Sequence, residues 1–367
     1  MKYWMLLTLP LLASCGGKAT QSTTAETQPT PAEILRNRLD SLQANGLIAF
    51  GHADDTAYGH SWAYDEGQSD VKAVAGDYPA VLNWDLGGIE KGDTANLDGV
   101  PFDRMRQEII AQDARGGINV LSWHTVNPVD GADSWQCADT TIVSRILNDS
   151  TVNAAFDLQM SRVAQFINSL TDSTGVKIAV VFRPWHEHTG NWFWWGADQC
   201  SPREYRQLWS VTRRIADREG IDNVLWAYSP DRVKTFDQYM ERFPGDEFID
   251  IMGADVYCYG GDNGADVYKK AVDATLGAAS RAASERGKIV AFTETGLEGV
   301  PNPAWWTEVL LPAIESYPAA YVVVWRNAHD KPGHYYAPWP GQVSEDDFKK
   351  FHSDKRTVFA QEMNQVR

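Results

Sequence analysis

Eight short apolar runs recur between residues 47 and 326, and segments of helical character separate most of them. The runs are Leu47–His52, Ala80–Asp85, Asn119–His124, Ile178–Glu187, Asn223–Tyr228, Ile249–Tyr257, Ile289–Glu294 and Tyr321–Arg326. Near-continuous Val, Ile and Leu mark strands buried on both faces, the condition of a parallel sheet covered by helices. Helical spacing of apolar residues predicts helices over Phe102–Arg115, Ala154–Leu170, Pro202–Arg218, Ala265–Arg286, Trp305–Glu315 and Glu345–Gln361. The third of these opens with Ser201, Pro202 and Glu204, the residues of a capping box with Pro at the first helical position. Strands alternating with helices give an α/β chain, and eight such units close into a (β/α)8 TIM barrel. An open doubly wound sheet is the other architecture with this alternation. It loses its usual nucleotide motif here, because no Gly-x-Gly-x-x-Gly follows the first run.

In a barrel the C-terminal ends of all strands face one mouth. Those ends carry His52 with Asp54 and Asp55, Trp84-Asp85, Trp123-His124, His186-Glu187, Tyr228 with Asp231, Asp255 with Tyr257, Glu294, and Trp325-Arg326. Chance would scatter ionisable and aromatic residues over both barrel faces, so this clustering predicts a polar, aromatic cleft. Within it the run Arg183-Pro184-Trp185-His186-Glu187 leads into Gly190-Asn191-Trp192-Phe193-Trp194-Trp195-Gly196. Trp rings suit the apolar C–H faces of sugars, and glycosidic oxygens need a proton donor. Taken singly, Trp192, Trp194 and Trp195 could equally be core residues, and Glu187 could pair with Arg183. Taken together, so many costly groups have no use in a core.

Glu187 and Glu294 end the fourth and seventh runs, across the mouth from one another. Glycoside hydrolysis uses such a pair, one carboxylic acid to protonate the leaving oxygen and one carboxylate to attack the anomeric carbon. Glu187, among Trp and His, is expected to have a raised pKa and an acid role. Glu294, between Thr293 and Thr295 and within reach of Tyr257, is expected to accept hydrogen bonds and stay ionised.

These motifs resemble glycoside hydrolase family 26, the β-mannanases of the retaining (β/α)8 clan. The likeness extends to Trp123-His124, Cys200 with Glu204-Tyr205 and Leu208-Trp209, Asp255-Val256-Tyr257, Thr293-Glu294 and Trp325-Arg326. It implies Glu187 as acid/base and Glu294 as nucleophile, His186 supporting the acid and Tyr257 steering the nucleophile. It further implies that His124, Trp192 and Trp325 line the subsite of the sugar under attack, and that Asp255 and Arg326 hold the next sugar on the non-reducing side. The expected activity is cleavage of β-1,4-mannosidic bonds by double displacement, endo-acting or releasing mannobiose, without cofactor or metal. A xylanase or mixed-linkage glucanase of the same family, and a non-catalytic glycan-binding lipoprotein, are the competing readings. Ala53 and His188-Thr189 depart from the frequent Gln and Met-Asn. The loop Asn127–Asp139, with Trp135 and Cys137, is long and aromatic, and either narrows the cleft or packs there with a disulfide from Cys137 to Cys200.

The ends of the chain and its charge set the remaining expectations. Residues 1–14 read as a signal peptide, its apolar stretch Trp4–Leu12 being too short to span a bilayer. Leu12-Ala13-Ser14-Cys15 resembles a lipobox of the Bacteroides type, which implies lipidation of Cys15. Residues 15–31 read as a flexible tether, and 32–367 as one catalytic domain. No acidic cluster follows Cys15, which favours a lipid-anchored, periplasm-facing protein of the cell envelope. A net charge of −16 argues against nucleic acid or an anionic membrane surface as partner and suits a neutral polysaccharide. A monomer is expected. With Cys15 assigned to lipid, Cys137, Cys200 and Cys258 leave room for one disulfide and one free thiol.

Overall fold

The computed structural model describes residues 28–261 and 264–365, together with Met1 and Trp4. Cys15, nearly all of the signal peptide and most of the tether lie outside the described residues.

Eight parallel strands close a barrel: β1 Ile48–Ala53, β2 Val81–Asp85, β3 Ile118–Ser122, β4 Val180–Arg183, β5 Val224–Tyr228, β6 Ile251–Cys258, β7 Ile289–Leu297 and β8 Ala319–Val324. Each pairs with its successor, and β8 returns to β1 with Ala49 opposite Tyr321 and His52 opposite Val324. Alternation along the strands divides the core in two. Ala49, Val81, Val120, Val181, Leu225, Ile251, Ile289 and Val323 pack together as one cluster. Their neighbours Phe50, Leu82, Leu121, Phe182, Trp226, Met252, Val290 and Val322 belong to a larger cluster shared with the helices. The period of two that makes a strand thus separates barrel interior from barrel exterior.

The first helix, Pro31–Ala44, was not foreseen, and the domain begins with it. Thr30 and Glu33 form its capping box, and Leu35, Leu39 and Leu42 join the interior cluster. The helix therefore closes the end of the barrel opposite the strand C-termini. Arg36 donates to the carbonyl of Gly287 at 2.7 Å, and Gln43 accepts from the amide of Val290 at 2.5 Å.

The helix Pro202–Arg218 forms as expected with the Ser201–Glu204 box. Two other helical expectations change. Trp305–Leu310 is a π-helical turn running into Leu311–Ile314, with Asp347 accepting from the amides of Trp306 and Thr307. Glu345–Gln361 breaks into the helix Glu345–His352, a short strand Thr357–Val358 beside β1, and the turn Ala360–Met363. Phe351 and Phe359 both pack on Phe50, which demands that the chain double back between them.

Cys137, Cys200 and Cys258 are all free thiols, so the disulfide between Cys137 and Cys200 does not form. Cys200 instead turns its sulfur into the protein, 3.5 Å from Arg242 Nη1 and 3.5 Å from the carbonyl of Trp195.

Candidate active site

A register irregularity in β7 sets the geometry. Ala254 lies opposite Phe292, but the next residue, Asp255, lies opposite Glu294. Thr293 is the extra residue of this bulge, and such insertions re-aim the side chains that follow. Arg183, the last residue of β4, reaches across and pairs with both carboxylates, at 2.6 Å with Asp255 and in a short contact with Glu294. The guanidinium is fully buried, and the two carboxylates raise its pKa against the pull of burial. Tyr257 donates its hydroxyl to the other oxygen of Glu294 at 2.5 Å. Glu294 is thus fixed by one donor on each oxygen. The Thr neighbours expected to serve it do other work: Thr293 binds Asp255 and Thr295 binds the carbonyl of Val256.

Glu187 lies four residues past the end of β4, on a turn and not on the strand itself. Trp185 and Glu187 both have left-handed backbones, with φ of 55° and 52°. Non-glycine residues seldom adopt this conformation, and it persists only where surroundings enforce it. Here the amide of Glu187 donates to the carbonyl of Ser229 at 2.8 Å, and Tyr205 donates to the carbonyl of Trp185 at 2.8 Å. The Glu187 carboxyl accepts from Trp192 Nε1 at 2.7 Å. Burial first, then the charges of Glu294 and Asp255, push it well above the usual carboxylate range. The side chain therefore holds a proton that it can give up.

A hydrogen-bonded chain flanks the pair. Asp85, at the end of β2, accepts from His124 Nδ1 at 2.6 Å, and His124 Nε2 lies 3.0 Å from His186 Nε2. Burial opposes charge on His124, but Asp85 overrides it and raises the pKa. Burial and the Arg183 charge drive His186 far down. The shared proton therefore belongs to His124, and neutral His186 accepts it. His186 was expected to support the acid, yet its ring meets His124. Burial and this bond account for that orientation.

Asp255 requires a similar correction. Expected to hold a sugar, it is fully buried and occupied by Arg183 and Thr293. Arg326 pairs instead with Asp98 at 2.9 Å, and more distantly with the exposed Asp330 at 3.9 Å. Arg326 also donates to the Tyr58 hydroxyl at 3.2 Å, and Tyr58 donates to Asp54 at 2.5 Å. These contacts tie together the loops after β1, β2 and β8. Sequence reasoning missed Asp98 because it sits in a loop of irregular structure, 13 residues beyond the strand end Asp85. Its only signal was an acid in a Gly-bearing turn.

Of the three Trp that follow the acid, Trp194 and Trp195 are fully buried core residues, whereas Trp192 is 37% exposed at the cleft. Trp325 is half-buried with its ring 6.3 Å from that of His124. Trp135, 48% exposed on the long loop after β3, stacks on His124 with an interplanar angle of 12°. The amide of Trp194 donates to the carbonyl of Ser134 at 3.1 Å, which pins that loop to the acid's own segment. No group of His, Cys, Asp and Glu suited to a metal ion occurs among the described residues.

Two different environments thus meet at the barrel mouth: a carboxyl that burial keeps protonated, and a second one fixed by Tyr257 and Arg183. Comparisons with known proteins agree with this site. Residues 26–296 match the sequence profile described as glycosyl hydrolase family 26. A mannan endo-1,4-beta-mannosidase of Bifidobacterium adolescentis is 31% identical over 97% of this chain, and one from Bacillus subtilis is 28% identical over 61%. The chain spans 38% and 61% of the length of these two curated relatives. Among solved structures, a GH26 beta-mannanase from Bacteroides ovatus shares 48% identity with a TM-score of 0.87, covering 90% of this chain and 96% of the other. A modular endo-beta-1,4-mannanase from Cellulomonas fimi shares 32% identity with a TM-score of 0.77, covering 89% and 76%. The matching profile covers most of the chain and the barrel aligns along nearly all of its length, so the chain belongs to glycosyl hydrolase family 26.

Proposed function

We propose that the protein hydrolyses β-1,4-mannosidic bonds in mannan with net retention. The observation that carries this reading is the opposed environment of the two carboxyls, one enclosed and proton-holding, the other held by Tyr257 and Arg183. Glu294 attacks the anomeric carbon while Glu187 passes its proton to the departing glycosidic oxygen. The sugar then rests on Glu294 as an ester. Glu187, now a carboxylate, takes a proton from water, and that water displaces Glu294 from the same face from which the leaving sugar departed. Trp192, Trp325 and His124 line the sugar under attack, and Arg326 with Asp98 meets the next sugar outward. The names of the relatives support mannan as the substrate.

Release of mannobiose is the finer reading. It is supported by the tie of Arg326 to Asp98 and Tyr58, which bridges three loops where the second glycone sugar would sit. Product analysis on linear mannan and mannopentaose tests both levels, with wild type run beside Glu187→Gln. Mannobiose as the main product from the earliest times is expected, and about 10²–10⁴-fold slower turnover in the variant. A ladder of lengths would overturn the mannobiose reading but keep the enzyme. Cleavage of xylan or mixed-linkage glucan instead of mannan would overturn the substrate. Binding without turnover by the wild type would overturn the hydrolase.

A further inference from the structure

A cavity of about 260 Å³ lies next to the reacting centre, with which it shares Tyr257. Its walls include Tyr257, Tyr259, Leu297, Glu298, Pro301 and Tyr336. Tyr257 is the partition, since its hydroxyl holds Glu294 and its ring meets that of Tyr336 edge-on at 5.7 Å. At the reaction itself none of the other five has a part.

The lining has the chemistry of a sugar site. Tyr336 is 9% exposed, and its hydroxyl has no hydrogen-bond partner among the described residues. Burial, then the charges of Glu298 and Glu294, raise its pKa, so the phenol stays an intact O–H donor. The ring fits there because Gly296, with φ of 152°, has no Cβ to collide with it. Glu298 is bound on one oxygen by His334 Nδ1 at 2.7 Å, and its second oxygen remains an acceptor. Tyr259, 81% exposed, forms the lip, with the guanidinium of Arg232 4.7 Å from its ring centre. Aromatic faces, one free hydroxyl and one carboxylate suit a neutral polyhydroxylated ring. The carboxylate disfavours an anionic one. Drug-sized ligand pockets start at roughly 300 Å³, so this volume suits one ring and not a chain.

We propose that this cavity receives a single neutral hexosyl branch, such as a galactosyl unit on the C6 oxygen of a backbone mannosyl residue next to the bond that is cleaved. A backbone sugar joined through C1 and C4 keeps its C6 oxygen free for such a branch, and the cavity is reached from the centre because Tyr257 both lines it and holds Glu294. The proposal rests on the mannan-hydrolase reading.

Its test compares kcat/KM on a linear manno-oligosaccharide and on a galactosyl-branched one of equal backbone length. Pro301→Trp fills the cavity from an exposed position, and Tyr336→Phe removes the hydroxyl alone. Wild type is expected to cleave both substrates. Pro301→Trp should lower the branched-to-linear ratio about tenfold with the linear value unchanged. Tyr336→Phe should lower the same ratio through KM. Ratios unchanged in both variants, or a wild type that cleaves the linear substrate but not the branched one, would overturn the branch pocket and leave the hydrolase standing. A wild type inert on the linear substrate would overturn the mannan reading first.

Discussion

Glu187 gains its properties from where its backbone is forced to go. Its left-handed φ aims the side chain into the mouth, and enclosure then keeps the proton on. Trp192 opposes this, because its indole N–H stabilises the ionised form. Trp192→Phe is therefore expected to move the basic limb of the kcat/KM profile to higher pH, and to raise KM through weaker stacking. A limb that stays in place would mean that another group sets it.

The same residue links activity to stability. Its folded pKa lies above its unfolded value, so its contribution to stability is fully present below the ordinary carboxyl value of 4.5 and is lost as pH rises through the folded pKa. Glu187→Gln removes the group that must ionise at a cost. Its Tm should exceed that of wild type at pH 7, and the two should converge below about pH 4. Thermal melts across that range decide it, and a variant less stable at neutral pH would contradict the assignment of the proton. Glu294 and Trp325 were legible as candidates from the ends of apolar runs, and Glu187 and Trp192 from the motif that follows β4. Asp98 and the burial of Asp255 were not. They depend on which loop crosses which, and local pattern carries no information about that.

At the scale of elements, the strands and the larger helices follow from hydrophobic period, whereas the helix Pro31–Ala44 follows from a tertiary need. A barrel has two ends, and the one away from the site must be sealed against water. Leu35, Leu39 and Leu42 do this from three turns of one helix. Leu39 is completely buried, so Leu39→Ala should cost about 2–5 kcal/mol. Chemical denaturation would read that loss, while kcat of the folded enzyme should not change because the site lies at the opposite end. A fall in kcat with stability preserved would mean that the seal is coupled to the cleft. The break at Thr357–Val358 teaches the same lesson: Glu345–Gln361 has helical composition, but Phe50 collects Phe351 and Phe359 only if the chain turns.

For the molecule as a whole, a net charge of −16 and a neutral polymer are compatible, because such a polymer carries no charge to repel. We propose that the chain is held at the periplasmic face of a membrane through lipid on Cys15, as the lipobox resemblance implies. Cys15→Ser is expected to move the protein from the membrane fraction to the soluble fraction with kcat unaltered, and retention in the membrane fraction would contradict lipidation at that residue. By itself the sequence determined the eightfold alternation, the barrel, the pair Glu187 and Glu294, and the family, because period and strand-end chemistry are local properties. Only the tertiary structure decided that Arg183 and not Thr293 holds Glu294, that His186 serves His124, that Asp98 partners Arg326, and that Cys137, Cys200 and Cys258 remain free thiols. Each of these is a choice among several chemically suitable partners. That choice is made by distance, which strand register, the β7 bulge and loop crossings fix together and which no local stretch of chain encodes.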